Sequence, residues 1–382
     1  MDDSPWFRHY EEGVPRTIAY PDLTLPDVLD RAAARFPDRL ALRFFLDARL
    51  PAPGLTYREL REQTLRFATA LFQLGVRKGD RVALMLPNCP QQVVAFYGTL
   101  RHDAVPVNTN PMYVSREMRE QFEDSGCETV VLLDQFYPRL REIHAATRVR
   151  RVIVVDVAER LPWYARLLVH VAQRRKGEAV RIPAETDTYL FRDLVRRYPP
   201  TPPGADLKPS DVALLQYTGG TTGTPKAAML THRNLVSNAL QAQAWFPSAA
   251  GGIYLGAIPF FHVYGMTVAM SLAMYIGAKL VVVPNPRPID GVMKAIDKER
   301  ATVFPGVPTM YIGIINHPDV GKYDLKSVKA CISGAAPLPM DVQTKFGEIT
   351  GGRLVEGYGL TEAAPVTHCN PIYGQRKAGS IG

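Results

Sequence analysis

Gln216-Tyr217-Thr218-Gly219-Gly220-Thr221-Thr222-Gly223-Thr224-Pro225-Lys226 is rich in Gly and Thr and ends in a lysine. Before it, Asp211-Val212-Ala213-Leu214-Leu215 is a short apolar run bounded by Pro209 and the glycines, the pattern of a buried strand. After it, Leu230-Thr231-His232-Arg233-Asn234 opens a helical pattern. The expectation is a strand, a ligand-binding loop and then a helix. Glycines admit positive φ and let the backbone come close to a ligand. Successive N–H groups, threonine hydroxyls and one ammonium can then converge on a small volume that suits polyphosphate oxygens. The spacing is not the Gly-x-x-x-x-Gly-Lys-Ser/Thr of the common nucleotide loop, and neither Gly-Lys-Ser nor Gly-Lys-Thr occurs in the chain. The competing reading is an ordinary surface loop, but loops seldom gather this many donors without Asp or Glu.

The rest of the composition limits the function classes. At 382 residues the chain suits two or three domains or lobes, and 46% apolar residues are ample for a large core. A formal net charge of +8 favours anionic partners such as nucleotides, acidic cofactors or a phospholipid surface. The Lys and Arg residues are dispersed, which argues against nucleic acid. Cys89, Cys127, Cys331 and Cys369 lie far apart, with neither metal spacing nor a disulfide framework, so a reducing, cytoplasmic compartment is expected. Met1-Asp2-Asp3-Ser4-Pro5-Trp6 lacks the basic-then-apolar order of a secretory signal. No apolar run approaches the roughly 20 residues of a membrane span.

Strands alternate with amphipathic helices along most of the chain. Residues 1–55 are irregular and Pro-rich apart from a helix over 25–36. Thr56 and Glu59 form a capping box that opens a helix with Leu60, Phe67, Ala68, Leu71 and Leu74 on one stripe. Strands at 81–86, 104–108, 129–133 and 152–155 follow, separated by helices over 91–100, 116–125 and about 137–146. This first lobe, 56–205, ends in an insert and a stiff Pro-rich linker, 198–204. Within the insert, 161–176 reads as a helix with Tyr164, Leu167, Leu168 and Val171 on one face and Arg166, His170 and Arg174 elsewhere. It suits either peripheral contact with a membrane surface or a surface helix with a solvated basic side. A second lobe, 206–365, resumes with the strand before the Gly/Thr loop. Helices over 234–245, 262–276, 291–299, 308–315 and 341–349 then alternate with strands at 253–258, 280–283, 302–304, 328–332 and 354–356. The expected fold class is α/β, two doubly wound lobes with helices on both faces of parallel sheets. In such sheets ligands lie beyond the carboxyl ends of the strands.

Three further segments sit at such ends. Pro259-Phe260-Phe261-His262-Val263-Tyr264-Gly265 puts a histidine among aromatics, either a packed core residue or a group facing substrate. Ser333-Gly334-Ala335-Ala336-Pro337-Leu338 offers small residues over which a flat ring or thin chain can lie, or else a tight helix entry. Glu356-Gly357-Tyr358-Gly359-Leu360-Thr361-Glu362 offers a ring to stack on a base, a hydroxyl for phosphate and a carboxylate for Mg²⁺, or else an exposed turn with one Tyr. Along the helix after Gly265, Met266, Met270 and Met274 share a face, adaptable side chains that either line an acyl tunnel or fill the core.

Tyr217 to Lys226 resembles the phosphate-binding signature of the adenylate-forming superfamily, whose members include acyl-CoA synthetases, luciferases and peptide-synthetase adenylation domains. Ala227 stands where the family usually has Gly. The resemblance implies phosphate contacts from Thr218, Gly219, Gly220, Thr221, Thr222, Gly223, Thr224 and Lys226. Phe261 to Gly265 is similar to the family's Phe-His-x-x-Gly element, which implies that His262 lies beside the substrate carboxylate, with Tyr264 and Gly265 at the acyl entrance and Met266 and Met270 beyond. Gly334, Ala335 and Ala336 then lie against adenine, with the acyl group on the other side of Gly334. Glu356, Gly357, Tyr358, Gly359, Thr361 and Glu362 match the Tyr-Gly-x-Thr-Glu motif and its lead-in. Tyr358 would stack on adenine, Thr361 would contact the α-phosphate and Glu362 would ligate Mg²⁺.

Asn108 to Tyr113, Asp124 to Gly126, Cys331 to Pro339 and Arg376 to Gly382 look most like the long-chain fatty acyl-CoA synthetases. No Asp stands in the Phe261 to Gly265 element to hold an amino group, as the peptide-synthetase pocket would require. The resemblance implies one N-terminal adenylation domain over 1–382, with 366–382 the start of a small β-barrel. The family's ribose-binding Asp, hinge and mobile C-terminal domain with its Lys are expected to follow outside this chain. The implied substrates are ATP, a fatty acid and coenzyme A, with Mg²⁺; AMP is released, and a homodimer stays open. A non-catalytic nucleotide-binding module, an aryl-CoA ligase and a luciferase-like oxidase are the alternatives.

Overall fold

A computed structural model describes residues 4–46, 50, 53–218, 225–246, 251–377 and 379–382. Gly219, Gly220, Thr221, Thr222, Gly223 and Thr224, the centre of the expected phosphate loop, lie outside the described residues. The chain begins with α1 (Leu25–Arg35), β1 (Leu40–Phe44), β2 (Gly54–Thr56), α2 (Tyr57–Gln73), β3 (Arg81–Met85), α3 (Pro90–Arg101), β4 (Val105–Asn108), α4 (Ser115–Ser125), β5 (Thr129–Leu133), α5 (Tyr137–Ile143) and β6 (Arg151–Val155). Next come α6 (Trp163–Arg175), β7 (Thr188–Leu190), α7 (Phe191–Arg197), β8 (Val212–Thr218), β9 (Lys226–Thr231), α8 (His232–Trp245) and β10 (Ile253–Gly256). A π-helix, Gly265–Ser271, runs into α9 (Leu272–Ile276); β11 (Lys279–Val282), α10 (Asp290–Glu299), β12 (Val303–Gly306), α11 (Pro308–Ile315), β13 (Ala330–Ser333), α12 (Met340–Thr350), β14 (Arg353–Gly359) and β15 (Val366–Cys369) complete the order.

Local chemistry sets the helix ends. The capping box expected at α2 is present: the Thr56 N–H donates to Glu59 Oε2 at 2.8 Å, and the Glu59 N–H donates to Thr56 Oγ1 at 3.2 Å. Thr24 with Asp27 and Thr231 with Asn234 repeat the device at α1 and α8. Helices α4, α9 and α12 stop at Gly126, Gly277 and Gly351, each in the left-handed conformation.

Among the described residues one sheet runs β7-β6-β5-β3-β4-β8-β9 and the other β15-β14-β13-β12-β10-β11-β1-β2. Pairing is parallel except at the antiparallel pairs β8/β9, β1/β2 and β14/β15. The expected α/β class holds. Strand faces alternate as a fully buried sheet requires. On β3, Val82 and Leu84 join the apolar cluster between the sheets, while Ala83 and Met85 join the cluster on the outer face. Helices α1, α2, α3, α8 and α9 contribute to the central cluster, α4 and α5 cover the outside of the first sheet, and α10, α11 and α12 cover the outside of the second.

Four features depart from the sequence reading. Alternation along the chain put the strand before the Gly/Thr loop into the second lobe, yet β8 pairs with β4 through Val107–Leu215 and Asn108–Gln216 and so belongs to the first sheet. Conversely β1, from the segment read as irregular, pairs with β11 of the second sheet. Which distant edge a strand joins is a long-range choice that its own apolar pattern does not encode. The loop does not lead straight into a helix; β9 intervenes and pairs back on β8 with Thr218 opposite Lys226. Lys226 and Met229, three residues apart and so on opposite faces, are both exposed, and the strand shows no apolar alternation to read. Finally, the helix read over 262–276 widens to a π-helix over Gly265–Ser271.

Candidate functional site

The second sheet changes direction between β10 and β12. From β10 the chain steps one way to β11, whereas β12, β13 and β14 extend the other way. Adjacent strands with diverging connections leave a crevice beyond their carboxyl ends, where ligands bind in such sheets. Residues 257–262, with His262 at their end, pass over this crevice before the π-helix begins. The turn into that helix admits no side chain at Gly265, since a Cβ there would lie 2.3 Å from the Pro259 carbonyl oxygen. π-Segments within helices recur at functional sites.

Buried amides from the first sheet hold this segment. Asn88, just beyond β3, donates through Nδ2 to the carbonyls of Gly256 at 3.1 Å and Ile258 at 2.8 Å, and its Oδ1 accepts the Phe260 N–H at 2.7 Å. A second path runs from Gln121, which donates to the Asn108 carbonyl at 3.0 Å, through Asn108 Nδ2 to Gln216 Oε1 at 2.9 Å, and from Gln216 Nε2 to the Phe261 carbonyl at 3.1 Å. All four side chains are buried. Of the four, the sequence reading names Gln216, in the Gly/Thr stretch, and Asn108, in the Asn108 to Tyr113 segment, but gives neither this role. Asn88 and Asn108 carried a readable signal, a polar amide at the carboxyl end of an apolar strand; Gln121, inside a charged helix, carried none.

His262 is exposed at the rim, and its Nδ1 accepts the Tyr264 N–H at 3.2 Å. That bond assigns the neutral ring's proton to Nε2. The protein around the ring lowers its pKa from the ordinary histidine value by desolvation, which favours this neutral form. Tyr264 is buried; its hydroxyl lies 2.8 Å from the Ile332 carbonyl and 3.3 Å from that of Gly306, tying the carboxyl ends of β12 and β13. A Cβ on Gly334 would come within 3.1 Å of the Tyr264 ring, so the two are in close contact.

The remaining segments assemble beside this pair. Ala335 has a φ of 70°, a left-handed conformation that costs a non-glycine residue about 1–2 kcal/mol, and Ala335 and Ala336 are exposed. Strands β13 and β14 pair Ser333 with Glu356, so the Gly334–Ala336 shelf and the Glu356 to Gly359 end lie side by side. Glu356 Oε1 accepts the Leu338 N–H at 3.4 Å and braces the shelf. Tyr358 is 49% exposed, a ring not consumed by the core. The turn Thr361–Ala363 contacts β9, whose first residue is the exposed Lys226. Lys226, Thr218, Thr361 and Glu362 therefore belong to neighbouring elements, although more than a hundred residues separate the first two from the last two. Among the described residues no group of three or more His, Cys, Asp or Glu side chains forms a metal cluster. One exposed carboxylate, Glu362, still fits Mg²⁺, which is commonly held by one or two carboxylates together with substrate phosphates and water.

Met266, Met270 and Met274 are fully buried in the central cluster. The π-helix is buried on every side, so a methionine stripe alone does not distinguish a tunnel wall from core. A cavity of about 890 Å³ lies elsewhere, between residues 6–20, α8 and β15; it touches Val268, Ile332 and Ala363 but neither Met266 nor Met270.

This architecture has known counterparts. The AMP-binding enzyme family matches residues 29–382. The chain is 39% identical over 387 positions to the long-chain-fatty-acid–CoA ligase of Bacillus subtilis strain 168, covering 100% of this chain and 68% of that protein. It superposes with a TM-score of 0.79 on a long-chain-fatty-acid–CoA ligase from Archaeoglobus fulgidus, at 27% identity over 95% of this chain and 69% of that one. An anthranilate CoA ligase in complex with anthranoyl-AMP shares the fold, with a TM-score of 0.81 at 24% identity over 96% of this chain and 65% of that one. This chain thus spans about two thirds of the length of these relatives. A family match over nearly the whole chain establishes that the chain belongs to the AMP-binding enzyme family.

Proposed function

We propose that this chain forms the nucleotide- and acyl-binding part of an ATP-dependent long-chain fatty acid–CoA ligase. The observation that carries the reading is the meeting of the Thr361–Ala363 turn with the strand that begins at Lys226, beside the small-residue shelf and an unburied Tyr358. The names of the relatives supply the substrate class. In the reaction a fatty carboxylate attacks the α-phosphorus of ATP, forming the acyl–phosphate bond and expelling pyrophosphate. The CoA thiol then attacks the acyl carbon, forms the thioester and expels AMP.

Negative charge builds on phosphoryl oxygens in the first step, and fixed donors placed there lower its barrier by positioning and electrostatics. Lys226, Thr218 and Thr361 supply such donors. Tyr358 stacks on adenine against Gly334, Ala335 and Ala336, with Glu356, Gly357 and Gly359 shaping that edge. His262, neutral and with Nδ1 already engaged, offers its Nε2–H to the substrate carboxylate as an orienting donor rather than a base. Tyr264, Gly265, Met266 and Met270 border the acyl chain. Glu362 would hold Mg²⁺, which neutralises phosphate charge when bound. A cytoplasmic setting is part of the proposal; among the described residues no helix is long and apolar enough to cross a membrane.

Pyrophosphate exchange into ATP, run with Mg²⁺ and a panel of acids, tests the reading. Exchange supported by palmitate but not by benzoate or coumarate is expected. Exchange with the aromatic acids alone would make this an aryl-CoA ligase. ATP binding with no exchange for any acid would favour a non-catalytic nucleotide-binding module, and oxygen uptake with an acyl adenylate would favour a luciferase-like oxidase.

A further inference from the structure

Helix α6 is mounted with its apolar side outward. A surface helix ordinarily turns its apolar stripe to the core. Here Ala165 is the only buried residue of the helix, and Trp163, Tyr164, Leu167, Leu168 and Val171 are 79, 49, 56, 60 and 37% exposed. The side facing the protein is held by polar contacts. Asp156 Oδ2 accepts from Arg166 at 2.8 Å and lies 3.2 Å from His170 Nε2. Ala165 packs with Ala158 and Leu161, and Val169 lies against them. Polar groups that would have made the helix soluble are thus spent on anchoring it. Basic residues follow the exposed apolar turns: Arg174, Arg175 and Lys176 are all exposed, and 163–181 holds five Lys and Arg against one acid, Glu178.

We infer that α6 is a docking surface for an anionic phospholipid bilayer, lying in the interface plane with Trp163, Tyr164, Leu167 and Leu168 among the acyl chains and Arg174, Arg175 and Lys176 at the head groups. Aromatic and aliphatic side chains on one side, with cations beside them, are the combination that such interfaces favour. A second copy of the chain is a poorer occupant. The stripe is roughly 20 Å by 10 Å, on the order of 200 Å², against about 800 Å² per partner in a stable dimer. The inference goes beyond the proposed ligase and does not depend on it, although a bilayer is where long-chain acids partition.

The test is flotation of the 382-residue chain with vesicles of phosphatidylcholine alone and of phosphatidylcholine with phosphatidylglycerol. Binding to the anionic vesicles only is expected. Leu167→Glu with Leu168→Glu, and separately Arg174→Glu with Arg175→Glu, should each lower partitioning by about tenfold or more. Phe72→Glu, which alters an exposed ring on α2 that makes no part of the stripe, should leave it unchanged. Brominated lipids should quench wild-type tryptophan emission and leave that of Trp163→Phe little affected, a readout independent of the charge variants. Absence of flotation, equal binding to neutral vesicles, or unchanged binding in the leucine variant would overturn the assignment. So would a dimer in sedimentation that the leucine variant dissociates without vesicle binding, because the surface would then take a second copy.

Discussion

Asn88 illustrates how much of the site rests on residues that touch no ligand. Its side chain closes three backbone hydrogen bonds of the segment that carries His262. Asn88→Ala removes the partner of the Ile258 carbonyl and of the Phe260 N–H, each worth about 1–3 kcal/mol, while the Gly256 carbonyl keeps the Val283 N–H at 3.0 Å. A loss of about 3 kcal/mol in urea denaturation is expected, together with weaker AMP binding; an unchanged midpoint and affinity would remove the clamp from the account. Glu362 is the opposite case, an exposed carboxylate to which the proposed function assigns the metal. Glu362→Gln should weaken Mg-ATP binding far more than AMP binding in calorimetry, and equal losses for both would refute its service to the metal. At this scale the sequence marks Tyr358, Thr361 and His262 as candidates because they stand at or just beyond the ends of apolar strands, and the structure keeps them at those positions. It was silent on Gln121, whose partner at Asn108 exists only once α4 has packed against the first sheet.

The helix after Gly265 shows what an element's own pattern withholds. Its start and its apolar character are readable, but neither the π-widening over Gly265–Ser271 nor the burial of that segment on all sides is a periodicity of the sequence. Methionine spacing predicts a shared face in either helical form, so it cannot separate tunnel from core. Met270→Trp does. Overpacking a full core costs about 1–3 kcal/mol, so the melting temperature should fall. If the acyl chain runs along this helix, acid-dependent exchange should also shift from palmitate toward decanoate. A lower melting temperature with an unaltered chain-length profile would assign Met270 to the core alone.

Across the molecule, the alternation of strands and helices announced two doubly wound sheets, and both are present. The strand before the Gly/Thr loop is the exception, since alternation along the chain places it in the second lobe and its pairing places it in the first sheet. Because β8 joins the first sheet while the shelf, Tyr358 and the Thr361 turn adjoin strands of the second, the β8–β9 hairpin and the proposed adenine platform stand on different sheets. The amide ties from Asn88 and Gln216 hold the two together. The proposed function requires this seam to bind an acyl adenylate as one ligand. Titration calorimetry with a hydrolysis-resistant palmitoyl sulfamoyl adenosine, compared with AMP, tests it most directly. The analogue should bind at least about tenfold more tightly than AMP, since burying only two methylenes at about 0.8 kcal/mol each already exceeds that ratio, and Tyr358→Ala should weaken both ligands. Equal affinity for the analogue and AMP, or no binding of either, would contradict the account.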